Sequence, residues 1–375
     1  MDAQLQELLA ALANAANDEG PAVEVIIDEN NSNGWRITYL NDQDLPGFEQ
    51  PMVVVRTSGS TGRAKRTVLS VEALASSAQA TAEYLGFEGQ WLLALPVHYV
   101  AGLSVLTRSL FAGTKPVAMD LTGSFSATAF TQAAEQMVEK HRLTSLVPTQ
   151  LARLLDDADP ATLNGLKRFD AILLGGARAS KDLLANARHH GLKIFQTYGS
   201  SETSGGLVYN GTALPGVHLA EHDSRIWVSG PMLSDGYLDS PEATAEHFVH
   251  HDSRRWYVTD DLGTVTGHRL SIIGRVDDVI NSGGIKLSAS KIDGILEEFF
   301  TQTLVLSVPD SQWGQSVGFA YSGPTRTEDA FEAVRRTLGK EAVPKHVRHY
   351  PNGLPQLPNG KFDRQLIISE LSLRD

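Results

Sequence analysis

Short apolar, β-branched runs alternate with helical patterns along the first part of this 375-residue chain. The runs have the length of buried strands, and the helical stretches end at glycines or polar turns. Strands are predicted at Met52–Arg56, Trp91–Leu95, Lys115–Met119, Ser145–Val147, Ala171–Leu174 and Lys193–Gln196. Helices are predicted from the Ser70 cap to Gly86, and at Gly102–Ala112, Ala127–His141 and Lys181–His190. This alternation predicts an α/β fold with a helix-covered, mostly parallel sheet.

The pattern changes after Leu207, where short strands separated by turn residues begin. Such strands are predicted at Arg225–Ser229, Arg255–Val258, Leu262–Thr266 and Leu270–Ile273, with a hairpin tip at Thr266–His268. They indicate a small antiparallel β subdomain. Helices Ser288–Phe300 and Glu328–Leu338 and strands Leu304–Val308 and Val317–Tyr321 then predict a small α+β domain. A glycine-rich stretch suggests a boundary between an N-terminal domain, 1–274, and a C-terminal domain, 275–375.

Composition narrows the class of protein. Hydrophobic residues make up 42% and charged residues 20%, which is typical of a globular protein. Because there is no cysteine, disulfides and thiolate metal sites are excluded. The N-terminal segment resembles an acidic amphipathic helix without a basic region or a cleavage site, so no signal peptide is expected. No apolar run reaches membrane-spanning length, and a cytoplasmic protein that does not bind membranes is expected.

The formal net charge of −12 argues against non-specific nucleic-acid binding, which depends on a basic surface. The same charge repels polyanionic ligands at long range. Any phosphate site must therefore be built locally, from backbone N–H groups and a few well-placed cations.

One segment has the composition that such a site requires. Thr57-Ser58-Gly59-Ser60-Thr61-Gly62-Arg63-Ala64-Lys65 directly follows a predicted buried strand, and Arg66 comes next. Its glycines let the backbone approach a ligand, its hydroxyls can donate to phosphate oxygens, and Arg63, Lys65 and Arg66 supply positive charge. The spacing is not that of a Walker A loop. A phosphate-binding loop is favoured over a flexible polar loop.

Two further segments follow predicted strands of the parallel sheet. Gly175-Gly176-Ala177 lies where ligands bind in open α/β sheets, although a plain strand–helix turn would have the same pattern. Tyr198-Gly199-Ser200-Ser201-Glu202-Thr203 combines an aromatic ring, hydroxyls and one carboxylate. Because Mg²⁺ is commonly held by one or two carboxylates and phosphate oxygens, this segment suits a nucleotide–magnesium corner. A β-turn is the plainer interpretation.

Three charged residues near the predicted C-terminal domain complete the candidates. Asp261 can accept hydrogen bonds from both ribose hydroxyls, and Arg275 can fix its geometry. A surface ion pair of little energetic value is the alternative. Lys361, in Leu357-Pro358-Asn359-Gly360-Lys361, would be interpreted as a solvated surface lysine if taken alone.

In this order, the segments resemble the adenylate-forming superfamily of acyl-CoA synthetases, peptide-synthetase adenylation domains and luciferases. Seven segments spanning residues 57 to 361 match: TSGSTGRAK, PVHYVAG, LLGGA, YGSSET, YVTDDLG, GRVDDVINSGG and LPNGK. Each is weak or moderate alone, and their ordered coincidence carries the resemblance. It implies an enzyme that uses ATP and Mg²⁺ to activate a carboxylate as an acyl-adenylate, with coenzyme A as co-substrate.

The resemblance also implies a role for each matching residue. The ATP-binding positions are Thr57, Ser58, Gly59, Ser60, Thr61, Gly62, Lys65, Gly175, Gly176, Ala177, Tyr198, Gly199, Thr203, Asp261 and Arg275. The implied catalytic residues are Lys361, Glu202 as the magnesium carboxylate, and His98 beside the acyl pocket. Asp277 matches the hinge of a mobile C-terminal domain, and Gly283 and Gly284 match a tunnel for the pantetheine of coenzyme A.

The departures from the family pattern are local. Only about fifty residues precede Thr57, so most of the usual first subdomain is missing. Asp260 stands where the family usually has glycine, and the loop lacks a common proline. Because no charged catalytic group is lost, an active enzyme is expected.

The short chain and the segment WLLALPVHYVAGLSVLTRSL resemble o-succinylbenzoate–CoA ligases of menaquinone biosynthesis. That acid has an aromatic ring and two carboxylates, and Arg108 is a candidate partner for the second carboxylate. A solvated helix position is the favoured interpretation of Arg108. Other aromatic acids, a carrier protein as acyl acceptor, and a non-enzymatic ATP-binding regulator remain alternatives. The oligomeric state is left open, with a homodimer as one option.

Overall fold

The computed structural model describes residues 2–57, 65–121, 123, 125–156, 159–357 and 362–372. By internal packing the chain divides into two compact units. The first unit comprises Met1–Ala220, Trp227–Val258 and Thr266–Leu270, and the second comprises Glu221–Ile226, Thr259–Val265 and Ser271–Asp375. The boundary predicted between residues 274 and 275, with a hinge at Asp277, stays a prediction.

The described residues form eleven α-helices and four short 3₁₀ turns. The helices are α1 Ala3–Ala16, α2 Val71–Leu85, α3 Val100–Phe111, α4 Ala127–Glu135, α5 Pro148–Asp156, α6 Pro160–Lys167, α7 Lys181–His189, α8 Pro241–His247, α9 Ala289–Leu296, α10 Glu328–Leu338 and α11 Arg364–Ser372. The 3₁₀ turns are Asp42–Asp44, Ser201–Thr203, Val276–Asp278 and Lys340–Ala342. None of the helices in the described part of the chain is long and apolar enough to cross a membrane.

The strands are numbered along the chain. They are β1 Ala22–Ile27, β2 Trp35–Leu40, β3 Pro51–Arg56, β4 Arg66–Ser70, β5 Gln90–Leu93, β6 Val117–Ala118, β7 Arg142–Leu146, β8 Ala171–Leu174, β9 Ile194–Ser200, β10 Gly205–Tyr209, β11 Thr212–Ala213, β12 His218–His222, β13 Arg225–Ser229, β14 Gly236–Tyr237, β15 Phe248–His251, β16 Arg254–Thr266, β17 Arg269–Arg275, β18 Val279–Ser282, β19 Ile285–Ser288, β20 Gln302–Asp310, β21 Gly314–Ser322 and β22 His346–His349.

A parallel sheet forms the centre of the first unit. Its strands lie in the order β6-β5-β7-β8-β9, and β10 and β11 extend it in antiparallel pairing. Apolar side chains from these strands pack with those of α4, α5 and α6 into a buried core. The prediction of a helix-covered, mostly parallel sheet is confirmed by this arrangement, because parallel strands buried on both faces require helical cover.

A second sheet of the first unit has the strand order β14-β4-β3-β1-β2. Strand β3 pairs parallel with β1 and antiparallel with β4. Helix α2 begins directly after β4, since the Ser70 hydroxyl accepts a hydrogen bond from the Ala73 amide, and it ends at Gly86, which is left-handed with φ of 80°. These two caps were predicted from the sequence, and they fix the direction in which the chain leaves the β3–β4 hairpin.

The second unit contains an antiparallel sheet in the order β19-β18-β21-β20, to which β22 adds in parallel. Helices α9 and α10 cover one part of this sheet and α11 another, around two apolar clusters. Helix α10 occupies the predicted range, and α9 ends at Leu296, four residues before the predicted end.

Two predicted boundaries are wrong. The helix predicted to end at His141 ends at Glu135, because the Gln90 side-chain oxygen accepts hydrogen bonds from the amides of Val138 and Glu139 and turns the chain. The two strands predicted at Arg255–Val258 and Leu262–Thr266 are one long strand, β16.

Candidate active site

The ends of the predicted phosphate loop meet at the tip of the β3–β4 hairpin. The Thr57 amide donates to the Lys65 carbonyl at 2.9 Å, and the Lys65 amide donates to the Thr57 hydroxyl at 3.3 Å. Residues Ser58, Gly59, Ser60, Thr61 and Gly62, together with Arg63 and Ala64, lie outside the described residues. The two ends of this segment, Thr57 and Lys65, are therefore paired with each other.

Lys65 is positioned by two ring systems of the first unit. Its ammonium nitrogen lies 3.4 Å from Nε2 of His247 and 4.5 Å from the ring centroid of Tyr237. His247 ends α8, and Tyr237 belongs to β14, which pairs with β4. The β14–β4 pairing sets Tyr237 opposite Thr67, two residues beyond Lys65, and so brings the ring to the base of the loop.

Glu202 joins the same cluster through Tyr237. The Tyr237 hydroxyl donates to Oε1 of Glu202 at 2.8 Å, and Glu202 is only 8% exposed. The Glu202 carbonyl accepts from the Ser234 amide, which ties the Ser201–Thr203 turn to the segment leading into β14. A carboxylate and an ammonium thus face one aromatic side chain. The Lys65 cluster consists of Lys65, Glu202, Tyr237 and His247.

The Thr203 hydroxyl is engaged in the turn that carries Glu202. It accepts from the Ser200 amide at 2.9 Å and lies 2.7 Å from the Gly205 carbonyl, to which it donates. Ser204 follows in the left-handed region, with φ of 52°. These bonds fix the turn, and the phosphate contact predicted for Thr203 stays a prediction.

Arg66 is engaged by two carboxylates, contrary to the expectation that it supplies charge to phosphate. Its guanidinium binds Glu24 through Nε and Nη2, at 3.1 and 2.7 Å, and contacts Asp239 through Nη1. Arg56, the strand partner of Arg66, binds the same Glu24 at 2.9 Å. Successive strand residues face opposite sides of a sheet, so Lys65 and Arg66 cannot both point to one ligand. The buried Glu24 of β1 braces both strands that flank the loop.

The two segments predicted to line adenine lie side by side. Strands β8 and β9 are parallel neighbours with Leu174 opposite Gln196, so Gly175, Gly176 and Ala177 follow β8 at the level of Thr197–Gly199. A Cβ on Gly175 would lie 2.4 Å from the Thr197 hydroxyl, and one on Gly199 would lie 2.0 Å from the Gly205 carbonyl. Only glycine fits at either position. Tyr198 is half-buried on β9, at the carboxyl edge of the sheet.

His98 lies in the turn between β5 and α3. A Cβ on Gly102 would lie 2.3 Å from the Pro96 carbonyl, so the glycine permits α3 to approach this turn. Both ring nitrogens of His98 are buried and lack a hydrogen-bond partner within the described ranges. Burial lowers the pKa of His98 to about 4, because water is removed from the charged form. The side chain is therefore a neutral imidazole with two unused polar atoms.

Arg108 is 6% exposed, so the favoured interpretation of a solvated helix position is wrong. The sequence of α3 alone does not reveal that β10 packs on this side of the helix. The guanidinium lies 5.3 Å from the Trp91 ring, and Nη2 donates to the Tyr209 hydroxyl at 3.4 Å. Its Nε has no partner among the residues described. Arg108 lines a cavity of about 290 Å³ with Trp91 and with apolar residues of α2 and α3.

The second unit holds Asp261 and Arg275 together, as predicted. Nη1 of Arg275 donates to Oδ1 of Asp261 at 3.3 Å, and Nη2 lies 3.8 Å from Asp260. Asp260 also accepts from Nη2 of Arg225 at 2.8 Å. The four side chains, here called the aspartate corner, are 18–35% exposed. Asp260, which stands where the family usually has glycine, is thus part of an ion-pair network.

Gly283 and Gly284 form the two-residue turn of the β18–β19 hairpin, with φ of 60° and 88°. Two successive positive φ values are what a type I′ turn requires. A Cβ on Gly283 would lie 2.5 Å from the ring of Trp313, whereas one on Gly284 would meet no atom within 4 Å. Asp277 lies in the turn Val276–Asp278, and Lys361 lies outside the described residues.

Sequence reasoning missed three residues of this region: Tyr237, His247 and Glu24. Tyr237 and His247 lie more than 170 positions from Lys65 along the chain and had no pattern of their own. For Glu24, the available signal was a carboxylate within the apolar run AVEVII. A charge in such a run is expected to have a partner, because an unpaired buried carboxylate is costly.

The amino-acid sequence matches a known protein family. A family described as "AMP-binding enzyme" matches residues 3–238, and this range contains the Lys65 cluster except for His247. The chain belongs to this AMP-binding enzyme family. Its membership is consistent with the α/β fold and with the order of the glycine-rich segments.

Relatives within this AMP-binding family are similar over most of the chain. A Mycobacterium tuberculosis protein named "Probable 2-succinylbenzoate–CoA ligase" is 35% identical, covering 96% of this chain and 94% of its own length. The 2-succinylbenzoate–CoA ligase of Escherichia coli is 29% identical, over 83% and 67% of the two chains. The solved o-succinylbenzoate CoA synthetase of Bacillus subtilis, in complex with the acyl-adenylate OSB-AMP, matches with a TM-score of 0.70 and 25% identity, over 84% and 68%.

Proposed function

We propose that this AMP-binding enzyme is an acid–thiol ligase that converts o-succinylbenzoate into o-succinylbenzoyl-CoA through an acyl-adenylate. The observation that carries the proposal is the meeting of the phosphate-loop lysine, Lys65, and the carboxylate of Glu202 on the Tyr237 side chain. The similarity to 2-succinylbenzoate–CoA ligases supports the choice of acid. As an enzyme of menaquinone biosynthesis acting on small molecules, it would be cytoplasmic.

Carboxylate activation requires two anions to react. A carboxylate oxygen attacks the α-phosphorus of ATP, the bond to the bridging oxygen breaks, and pyrophosphate leaves. The site must align the two groups, which can be worth about 7–11 kcal/mol, and stabilise the charge that develops. Lys65 and the amides of the loop would hold the outer phosphates. Gly175–Ala177 and Tyr198 would hold adenine, and Asp261 would accept from the ribose hydroxyls.

Glu202 fits the magnesium role because it is a buried carboxylate that accepts a hydrogen bond from Tyr237, the same side chain that lies against the Lys65 ammonium. Among the residues described, no group of three or more carboxylates and histidines could hold a metal ion. An ion here would therefore be held by Glu202 together with oxygens of ATP. When bound, Mg²⁺ supplies positive charge that offsets the charge on the phosphates.

Arg108 and His98 supply what a dicarboxylate with an aromatic ring needs. Arg108 has an unpartnered Nε beside the Trp91 ring and an adjoining cavity, so it can pair with the second carboxylate. His98, at the amino end of the same helix, offers two unpartnered nitrogens and remains neutral at physiological pH. A neutral imidazole can contact an acyl group without forming a competing ion pair with the reacting carboxylate.

The second half-reaction would follow a rotation of the C-terminal domain about Asp277. Lys361 would contact the reacting carboxylate during adenylation and then leave the site. The Gly283–Gly284 turn would line the pantetheine path, where the open space around Gly284 leaves room for a ligand. The thiol sulfur of coenzyme A attacks the acyl carbon, AMP leaves, and the thioester forms.

Carboxylate-dependent ATP–pyrophosphate exchange across a panel of aromatic acids tests the proposal. We expect the fastest exchange with o-succinylbenzoate. Exchange with another acid alone would reassign the substrate, and no exchange with any acid would leave a non-enzymatic ATP-binding regulator. Thioester formation with free coenzyme A, but not with a carrier protein, is expected in the second step.

Two variants separate the half-reactions. Lys361→Ala should abolish adenylation while largely sparing thioester formation from a pre-made adenylate. Gly284→Leu should slow the thioester step more than adenylation, because the side chain enters the open space at the turn. Equal losses in both steps for Lys361→Ala, or normal turnover for Gly284→Leu, would contradict the two-closure mechanism.

A further inference from the structure

We propose that His247 is a positioning residue that orients the Lys65 ammonium without neutralising it, and so prepares Lys65 for a phosphate group of ATP. The inference rests on the proposed function and deepens it. It concerns a residue outside the segment matched by the AMP-binding family, whose match ends at residue 238.

The hydrogen-bond partners of His247 indicate which of its ring nitrogens carries the hydrogen. Nδ1 lies 3.0 Å from the Val258 carbonyl, and a carbonyl oxygen can only accept, so Nδ1 carries the hydrogen. In the neutral ring Nε2 then carries a lone pair. Lys65 Nζ lies 3.4 Å from Nε2 and donates to it. His247 is 5% exposed, and the contact of Nδ1 with the Val258 carbonyl holds the ring in place.

The partners of Lys65 leave its charge uncompensated. One is the neutral imidazole, and the other is the face of Tyr237, which attracts a cation through its quadrupole. Within the described ranges, no carboxylate lies within 4.0 Å of the ammonium. By contrast, Arg66, the next residue, is engaged by the carboxylates of Glu24 and Asp239. Of the two adjacent cations on the hairpin, Arg66 is therefore paired with carboxylates, and Lys65 remains available for an anionic ligand.

This arrangement matters in a chain of net charge −12. Long-range attraction does not bring ATP to the site, so the local cation must be both fixed in position and fully charged. A carboxylate at position 247 would fix Lys65 equally well and cancel its charge. An imidazole acceptor fixes it and leaves the charge available.

The experiment compares two substitutions of equal size. His247→Gln keeps a neutral acceptor toward Lys65, whereas His247→Glu puts a carboxylate there. In ATP–pyrophosphate exchange with o-succinylbenzoate, we expect the KM for ATP to rise about threefold in the Gln variant and about tenfold or more in the Glu variant. The KM for the acid should stay unchanged in both. Equal KM values for ATP in the two variants would overturn the proposal.

A second background separates positioning from general damage to the fold. In Lys65→Met, which keeps the chain length and removes the charge, the Gln, Glu and Phe variants of His247 should agree in the KM for ATP within about twofold. Differences that persist without Lys65 would show that His247 acts elsewhere. If the Glu variant is too unstable to assay, as judged by thermal unfolding, His247→Gln is compared with His247→Phe, which has no acceptor toward Lys65. The KM for ATP should then be higher in the Phe variant, and equal values would overturn the orienting role of His247.

A negative result for the role of His247 can be distinguished from a negative result for the proposed ligase function. If the wild type shows no exchange with any acid, the proposed function fails, and the same variants are compared by calorimetric titration with ATP and Mg²⁺. There, a Glu variant that binds ATP as tightly as the Gln variant would overturn the role of His247.

Discussion

The Lys65 cluster and the aspartate corner both gather charged side chains, but they do so in opposite ways. In the Lys65 cluster, a buried carboxylate and an ammonium are each held by uncharged rings, Tyr237 and His247. In the aspartate corner, two arginines and two aspartates pair with one another and stay partly exposed. Charges held by neutral partners can act on a ligand at full strength, whereas paired and solvated charges mainly contribute shape and hydrogen bonds.

The largest effect is expected at the buried carboxylate. Glu202→Gln keeps the volume and one acceptor for the Tyr237 hydroxyl but removes the negative charge. We expect exchange to fall by about 100-fold or more, because the charge that we propose holds Mg²⁺ is lost in a water-poor site. The measurement is kcat/KM for ATP in ATP–pyrophosphate exchange. A loss of less than about tenfold would mean that the cluster is not the centre of charge stabilisation.

The hydroxyl of Tyr237 should have the next largest effect. Tyr237→Phe keeps the ring over Lys65 and removes the hydrogen bond to Glu202. Because a hydrogen bond to a charged group is worth about 1.5–3 kcal/mol, we expect a loss of about tenfold or more in kcat/KM for ATP. Tyr350→Phe is a matched control, since the Tyr350 hydroxyl also donates to a glutamate, Glu370, and has no role in the site. Equal losses of kcat/KM for ATP in Tyr237→Phe and Tyr350→Phe would contradict a specific role of the Tyr237–Glu202 hydrogen bond.

The smallest effects belong to the aspartate corner, and its two adjacent aspartates can be compared directly. We expect Asp261→Asn to raise the KM for ATP about fivefold, since a ribose would lose a charge-assisted acceptor. Asp260→Gly, which restores the usual family residue, should change it by less than about twofold, because partly exposed pairs are worth about 0–1 kcal/mol. An Asp260 effect that matches the Asp261 effect would mean that the network acts as one unit.

Structural features that are decided by residues adjacent in sequence, such as helix caps, were predicted correctly. The Ser70 and Gly86 caps placed α2 correctly, and the paired glycines Gly175 and Gly176 follow a strand at the carboxyl edge of the sheet, as predicted. These signals work because a cap or a close backbone approach is decided within a few residues. The early end of α4 was missed because the responsible group, Gln90, comes from a distant strand.

The partners of the site could not be predicted for the same reason. Glu202 and Lys65 were singled out by their own segments, but Tyr237 joins them only because β14 pairs with β4. Arg108 appeared to be an ordinary helix residue until the packing of β10 showed it to be buried. Local chemistry singled out the groups that we propose contact a ligand, and tertiary packing decided which groups hold them.

The Glu24 brace has a consequence for protein engineering. A single carboxylate on β1 holds the two arginines that flank the nucleotide loop, so the loop is mechanically connected to the beginning of the chain. Truncation or fusion of the N-terminal segment would therefore disturb the β3–β4 hairpin through strand β1. Expression tags, linkers and truncations at this end are best designed to leave 22–27 intact, since a variant without this strand would lose the carboxylate that holds both arginines of the hairpin.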